Sequence, residues 1–120
     1  MIKVLIVDDE PLARARISRL LSEHSNYTVI GDACNGEQAI EYCKQLQPDV
    51  VLLDINMPKL NGLEVAATLK QLTIPPAIVF LTAHPEHALE AFQLCADGYL
   101  VKPVSESSLN QTLSQLSKLN

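Results

Sequence analysis

Four short apolar runs in this chain end on polar residues able to do metal or phosphoryl chemistry. Asp8 and Asp9 follow Lys3–Val7, Asp54 follows Val50–Leu53, Thr82 follows Ala77–Leu81 and Lys102 follows Tyr99–Val101. Brought together, they would set three carboxylates against one ammonium. Such crowding is unfavourable unless a proton or a cation is taken up. A hard divalent cation cancels it, and all-oxygen ligands with room for water suit Mg2+. An incoming phosphoryl group would then find the metal, the Lys102 ammonium and the Thr82 hydroxyl around its oxygens. Asp54 is the natural nucleophile, forming a mixed anhydride. No general base for water and no substrate pocket stand out, which suits a group acceptor better than a hydrolase turning over many times.

Whether these residues meet depends on the elements that carry them. Five short apolar runs alternate with five longer segments of helical period. The runs are Lys3–Val7, the more polar Tyr27–Gly31, Val50–Leu53, Ala77–Leu81 and Tyr99–Val101. The first, third and fourth are continuously apolar, as parallel strands covered on both faces must be. The helical stripes are Leu12, Ile17, Leu20 and Leu21; then Ala39, Ile40, Cys43 and Leu46; then Leu63, Ala66, Ala67 and Leu69. Two more follow: Ala88, Leu89, Phe92 and Cys95, then Leu109, Leu113 and Leu116. Pro11 stands near the start of the first helix, while Pro48 and Pro75-Pro76 stop the second and third. The alternation predicts a three-layer α/β sandwich on a mainly parallel sheet. In such a sheet the carboxyl ends of the strands share one edge, where ligands bind at the point of strand-order reversal. The polar residues behind the strands would therefore converge.

Length and charge set the boundaries. The 120 residues suit one domain, with no linker or internal repeat. Nine Lys and Arg against fourteen Asp and Glu give a net charge of −5. That argues against a nucleic-acid surface or an electrostatic membrane anchor. No apolar run approaches the ~18–20 residues of a membrane span, and the N-terminal run turns acidic where a signal peptide would continue apolar. A cytoplasmic location is expected. Cys34, Cys43 and Cys95 are odd in number and form no C-x-x-C, so all three read as small packing residues.

The motifs are recognisable as a set. Val7-Asp8-Asp9-Glu10-Pro11, Leu53-Asp54-Ile55-Asn56-Met57-Pro58 with Gly62, Leu81-Thr82-Ala83 and Tyr99-Leu100-Val101-Lys102-Pro103 resemble the receiver domain of bacterial two-component response regulators. The resemblance covers essentially the whole chain. The stretch from Thr82-Ala83-His84 through Ala88–Phe92 to Ala96–Val104 looks most like receivers of the AlgR/LytR group. It implies a flavodoxin-like, doubly wound (βα)5 sandwich with a five-stranded parallel sheet in order 2-1-3-4-5. Residues 1–120 would be the receiver, with a C-terminal LytTR-type DNA-binding output domain lying outside them. The implied roles are specific. Asp54 accepts a phosphoryl group from a sensor histidine kinase. Asp8, Asp9, Asp54 and the Asn56 backbone carbonyl hold Mg2+. Lys102 contacts the phosphoryl group, Thr82 moves to bond it, and Tyr99 follows as the switch aromatic. The Lys102-Pro103 bond is expected to be cis, as in the family.

Plainer readings exist for each residue. Asp8-Asp9 could cap the Pro11 helix, Asp54 could begin a turn, Thr82 could cap the next helix and Lys102 could be a surface lysine. These are reasonable singly and improbable jointly. Tyr99 alone could be sheet surface. His84, His87 and Cys95 fit no zinc spacing and lack a fourth ligand, so the histidines read as exposed. His84, two residues after Thr82, could tune loss of the phosphoryl group. Arg14, Arg16 and Arg19 read as solvated. An aspartate-nucleophile phosphatase of the haloacid-dehalogenase type would need a second Asp where Asn56 stands. Among phosphorylation-independent interaction modules, a degenerate receiver would lack some of the acidic residues or Lys102, and a flavodoxin-like one would place a Gly/Ser/Thr-rich loop behind the first strand. Instead Asp-Asp-Glu-Pro stands there. The last helix, Ser105–Lys118, carries only Glu106 and Lys118 as charges, so any homodimer should be weak or phosphorylation-dependent.

Overall fold

A computed structural model describes residues 1–84, 86 and 96–116. Along the chain it places β1 (Ile2–Val7), α1 (Pro11–Ser22), β2 (Tyr27–Ala33), α2 (Gly36–Leu46) and β3 (Val50–Asp54). There follow α3 (Gly62–Leu69), β4 (Ala77–Thr82), β5 (Gly98–Val101) and α4 (Glu106–Ser114). The stripe expected over Ala88–Cys95 lies outside the described residues, as do His87 and Cys95. The five strands pair in parallel in the order β2-β1-β3-β4-β5, which is the doubly wound, flavodoxin-like order expected.

The continuously apolar runs lie at the centre because helices cover both faces there. Every residue of β3 and β4 is buried. Alternate residues feed opposite cores. Leu5, Val7, Val51, Leu53, Ile78 and Phe80 pack with Ala39, Cys43, Val65, Ala66 and Leu69 of α2 and α3. Val4, Ile6, Val50, Leu52, Val79 and Leu81 pack with Ile17 and Leu21 of α1 and Leu109 and Leu113 of α4. The edge strands are less covered, and β5 alternates buried and exposed. No described helix is long and apolar enough to cross a membrane.

The helical stripes need three corrections. Leu12 is 84% exposed, while Ala13, four residues before Ile17, is half-buried. In α3 the buried set is Gly62, Val65, Ala66 and Leu69, and Ala67 faces outward. Leu46, in the last turn of α2, is 40% exposed. The helix starts carry their own signals. Asn35 accepts from Gln38 N at 2.9 Å, Asn61 forms a capping box with Glu64, and Ser105 caps α4. Helix α1 instead starts at Pro11 behind an uncapped Glu10. Asp8 and Asp9 are therefore not its N-cap.

Candidate functional site

Sheet register brings the chemistry-bearing residues to one edge. Val7 pairs with Leu53, Asp54 with Leu81, and Thr82 with Val101, so the next residue of each strand lies at the carboxyl end. The backbone continues the ladder across that edge: Asp8 N donates to Ala33 O, Ile55 N to Leu81 O, and Lys102 N to Thr82 O. The Lys102-Pro103 bond is cis, as expected. On α3, a Cβ at Gly62 would run into the Asp54 carbonyl oxygen. Gly62 N donates to Ile55 O at 2.9 Å. Only glycine lets the helix start press this closely on the strand end bearing Asp54.

Asp8, Asp54 and Lys102 form one cluster. Lys102 Nζ lies 2.7 Å from Asp8 Oδ2 and 3.4 Å from Asp54 Oδ2. Asp8 and Asp54 are buried, and the Lys102 side chain is 20% exposed. Asp8 Oδ1 accepts from Glu10 N at 2.9 Å, and Asp54 Oδ1 from Asn56 N at 3.2 Å. Burial pushes the Asp54 carboxyl up to about 6. Lys102 pulls it down, Asp8 adds to the rise, and the Asn56 N–H opposes it. Burial works against the Lys102 ammonium, but Asp8 and Asp54 together raise its pKa. Asp54 and Lys102 thus each favour the ionised form of the other.

Thr82, Asn56 and His84 lie at or just beyond the same edge in different settings, whereas Tyr99 stands back from it near the start of β5. Thr82 is buried; its Oγ1 accepts from His84 N at 2.9 Å and donates to His84 O at 3.2 Å. Asn56 is exposed, and the bond noted above uses its amide rather than its carbonyl. Tyr99 pairs with Phe80 and is 44% exposed. His84 is exposed, as expected, and faces Glu86 at 3.7 Å.

The donor set fits a hard cation. Asp8, Asp9 and Glu10 each bring a carboxylate oxygen within 4.8 Å of the others. Asp8 Oδ2 is fully buried, and its partner among the described residues is the Lys102 ammonium. A buried carboxylate oxygen beside two exposed ones leaves oxygen ligands inside and water outside, which is what Mg2+ requires. Glu10 was not among the ligands expected from sequence. Its place in the run Asp8-Asp9-Glu10 was the available signal.

Residues 4–114 match the family model described as response regulator receiver domain. The chain belongs to that family. The receiver is 54% identical over 118 residues to a positive alginate biosynthesis regulatory protein of Pseudomonas aeruginosa, spanning 98% of this chain and 48% of that one. It is 45% identical to the sensory transduction protein LytT of Bacillus cereus, again over 98% of this chain and 48% of that protein. Among solved structures, the response regulatory domain of mrkE from Klebsiella pneumoniae superposes with a TM-score of 0.86 at 38% identity. That match covers 98% of this chain and 97% of the mrkE domain. The resemblance read from the motifs, with its leaning to the AlgR/LytR group, is borne out. The receiver spans about half the length of the curated relatives it matches.

Two sequence readings are corrected. Cys34 is exposed, beside the Gln38 and Asn35 side chains, because it sits in the turn before α2; Cys43 is the buried packing cysteine. Arg14 and Arg16 are not simply solvated. Arg14 pairs with Asp32 and bonds the Asp8 carbonyl, and Arg16 bonds the Val104 carbonyl. Nothing in helical spacing announces a bond to a carbonyl far along the chain.

Proposed function

We propose that this receiver is the phosphoacceptor switch of a two-component system, with Asp54 as the acceptor. The observation that carries the reading is the Asp54 carboxylate, buried at the end of β3 with Oδ2 3.4 Å from Lys102 Nζ. An Asp54 oxygen attacks the phosphorus of a phosphohistidine on a sensor kinase. The P–N bond breaks, its electron pair stays on the imidazole, and an acyl phosphate forms. Lys102, already between two carboxylates, offers its ammonium to a phosphoryl oxygen. Asp8, Asp9, Asp54 and the Asn56 carbonyl would hold Mg2+, with Glu10 beside them. When bound, that ion neutralises charge on the phosphoryl oxygens.

Thr82 must give up its two bonds to His84 to reach the phosphoryl group. Tyr99, on the neighbouring strand, would follow it. The change would reach the face of β5 and α4 and, through it, a C-terminal output domain outside these residues, of LytTR DNA-binding type. A phosphorylation-dependent homodimer through that face fits the neutral last helix. The receiver itself would contact neither nucleic acid nor membrane and would act in the cytoplasm as a regulatory acceptor. It would assist its own phosphorylation and slow dephosphorylation. Intact-mass measurement after incubation with a small phosphodonor and Mg2+ tests the reading. One phosphate adduct is expected on wild type and none on Asp54→Asn; an adduct on both would refute it.

A further inference from the structure

Helix α1 carries three arginines, and two are tied to the segments that hold the site. Arg14 Nη1 donates to the Asp8 carbonyl oxygen at 2.6 Å while its Nε donates to Asp32 Oδ2 at 3.0 Å. That side chain is only 17% exposed, held between the end of β1 and β2. Arg16 Nε donates to the Val104 carbonyl oxygen at 3.1 Å, two residues beyond Lys102. Residues two apart on a helix leave it roughly 200° from one another. The guanidinium groups therefore depart on opposite flanks of α1, one toward the acidic loop and one toward the lysine loop. Between those loops lies the Asp8–Lys102 contact at 2.7 Å. Both arginines end on backbone carbonyls, so they fix the path of the chain.

We infer that Arg14 and Arg16 are positioning residues for this pair, with α1 clamping the acidic loop through one and the Lys102 loop through the other. The polar partner of Asp8 Oδ2 among the described residues is the Lys102 ammonium, at 2.7 Å. Ionic attraction alone would let the two loops shift whenever a cation or a phosphoryl group entered between them. A clamp on each backbone holds carboxylates and ammonium at a set separation, and pre-placed charges need no rearrangement when a ligand arrives. Arginine suits the task because its planar fork makes two bonds at once, as Arg14 does, where lysine offers a point charge. Arg19 is exposed and makes no comparable bond among the described residues.

The second arm of the test rests on the phosphoacceptor reading; the first does not. Arg14→Lys, Arg16→Lys and the bystander Arg19→Lys keep the charge. Each is measured by calorimetric Mg2+ titration, by the rate of Asp54 phosphorylation at saturating Mg2+, and by thermal melting to confirm folding. Arg14→Lys is expected to weaken Mg2+ binding by about three- to tenfold, more than Arg16→Lys does. In the rate the order reverses: Arg16→Lys slows phosphorylation by about three- to tenfold, more than Arg14→Lys. Arg19→Lys matches wild type in both. Equal losses for the two arginines in both measurements, or none in either, overturn the clamp. If wild type takes up no phosphoryl group, the phosphoacceptor reading falls instead. The Mg2+ titration then decides alone, and Arg14→Lys binding as tightly as Arg19→Lys overturns the clamp.

Discussion

Burial lifts the Asp54 carboxyl to about 6, so the folded chain holds a proton there more readily than the unfolded chain does. The linkage has a definite sign. The stability Asp54 contributes is fully present below its unfolded value and is lost as pH rises through about 6. Above that, the ionised carboxylate weighs on the metal-free fold by roughly 1–3 kcal/mol. Asp54→Asn keeps the shape and removes the charge. In urea titrations without divalent cations near neutral pH, the variant should be more stable than wild type by ~1–3 kcal/mol, the gap closing toward about pH 4. A gap that widens in acid would contradict this. The residues of this cluster were legible in the sequence because strand ends of a parallel sheet share one edge. The exposed Cys34, the Glu10 oxygen and the Arg14 bond were not. Each depends on where a loop turns, which residue type alone does not specify.

Among the described elements the helical faces were legible to within about one position, while α4 ends at Ser114, short of the Lys118 expected. Continuous apolar runs marked β1, β3 and β4 because only strands covered on both faces tolerate them. The stripes misplaced Leu12 and Ala67, where an alanine one position away could equally take the inward place. Two backbone positions carry measurable consequences. Gln47 ends α2 with φ of 50°, in the left-handed region that glycine enters freely. Gln47→Gly should raise stability by about 0.5–1 kcal/mol in chemical denaturation; a loss would mean the left-handed turn is not strained. Gly62 shows the opposite requirement. Gly62→Ala would drive a methyl group against the Asp54 carbonyl oxygen, so the start of α3 or the end of β3 must move. A loss of about 2 kcal/mol or more is expected, with slower phosphorylation of Asp54 at saturating Mg2+. Unchanged stability together with an unchanged rate would show that α3 does not brace the acceptor.

At the scale of the molecule, the net charge of −5 is partly concentrated at one sheet edge, in Asp8, Asp9, Glu10 and Asp54. That concentration explains why an acidic chain carries a half-buried lysine at that edge. The opposite requirement holds at β5 and α4, where Glu106 is the one charged residue of the described helix. Without charge to lock two copies together, the face should pair weakly. Sedimentation velocity is expected to show a monomer in the unmodified state and a faster species with a phosphoryl mimic bound; a tight dimer in both states would contradict it. The most direct test of the account is chemical trapping of the acceptor. After incubation with a small phosphodonor and Mg2+, borohydride reduces an aspartyl phosphate to homoserine, and peptide mapping locates it. The expected result is conversion at Asp54 alone, lost when Mg2+ is withheld and absent from Asp54→Asn. Conversion at another acidic residue, or none at Asp54 in Mg2+-saturated wild type, would contradict the account.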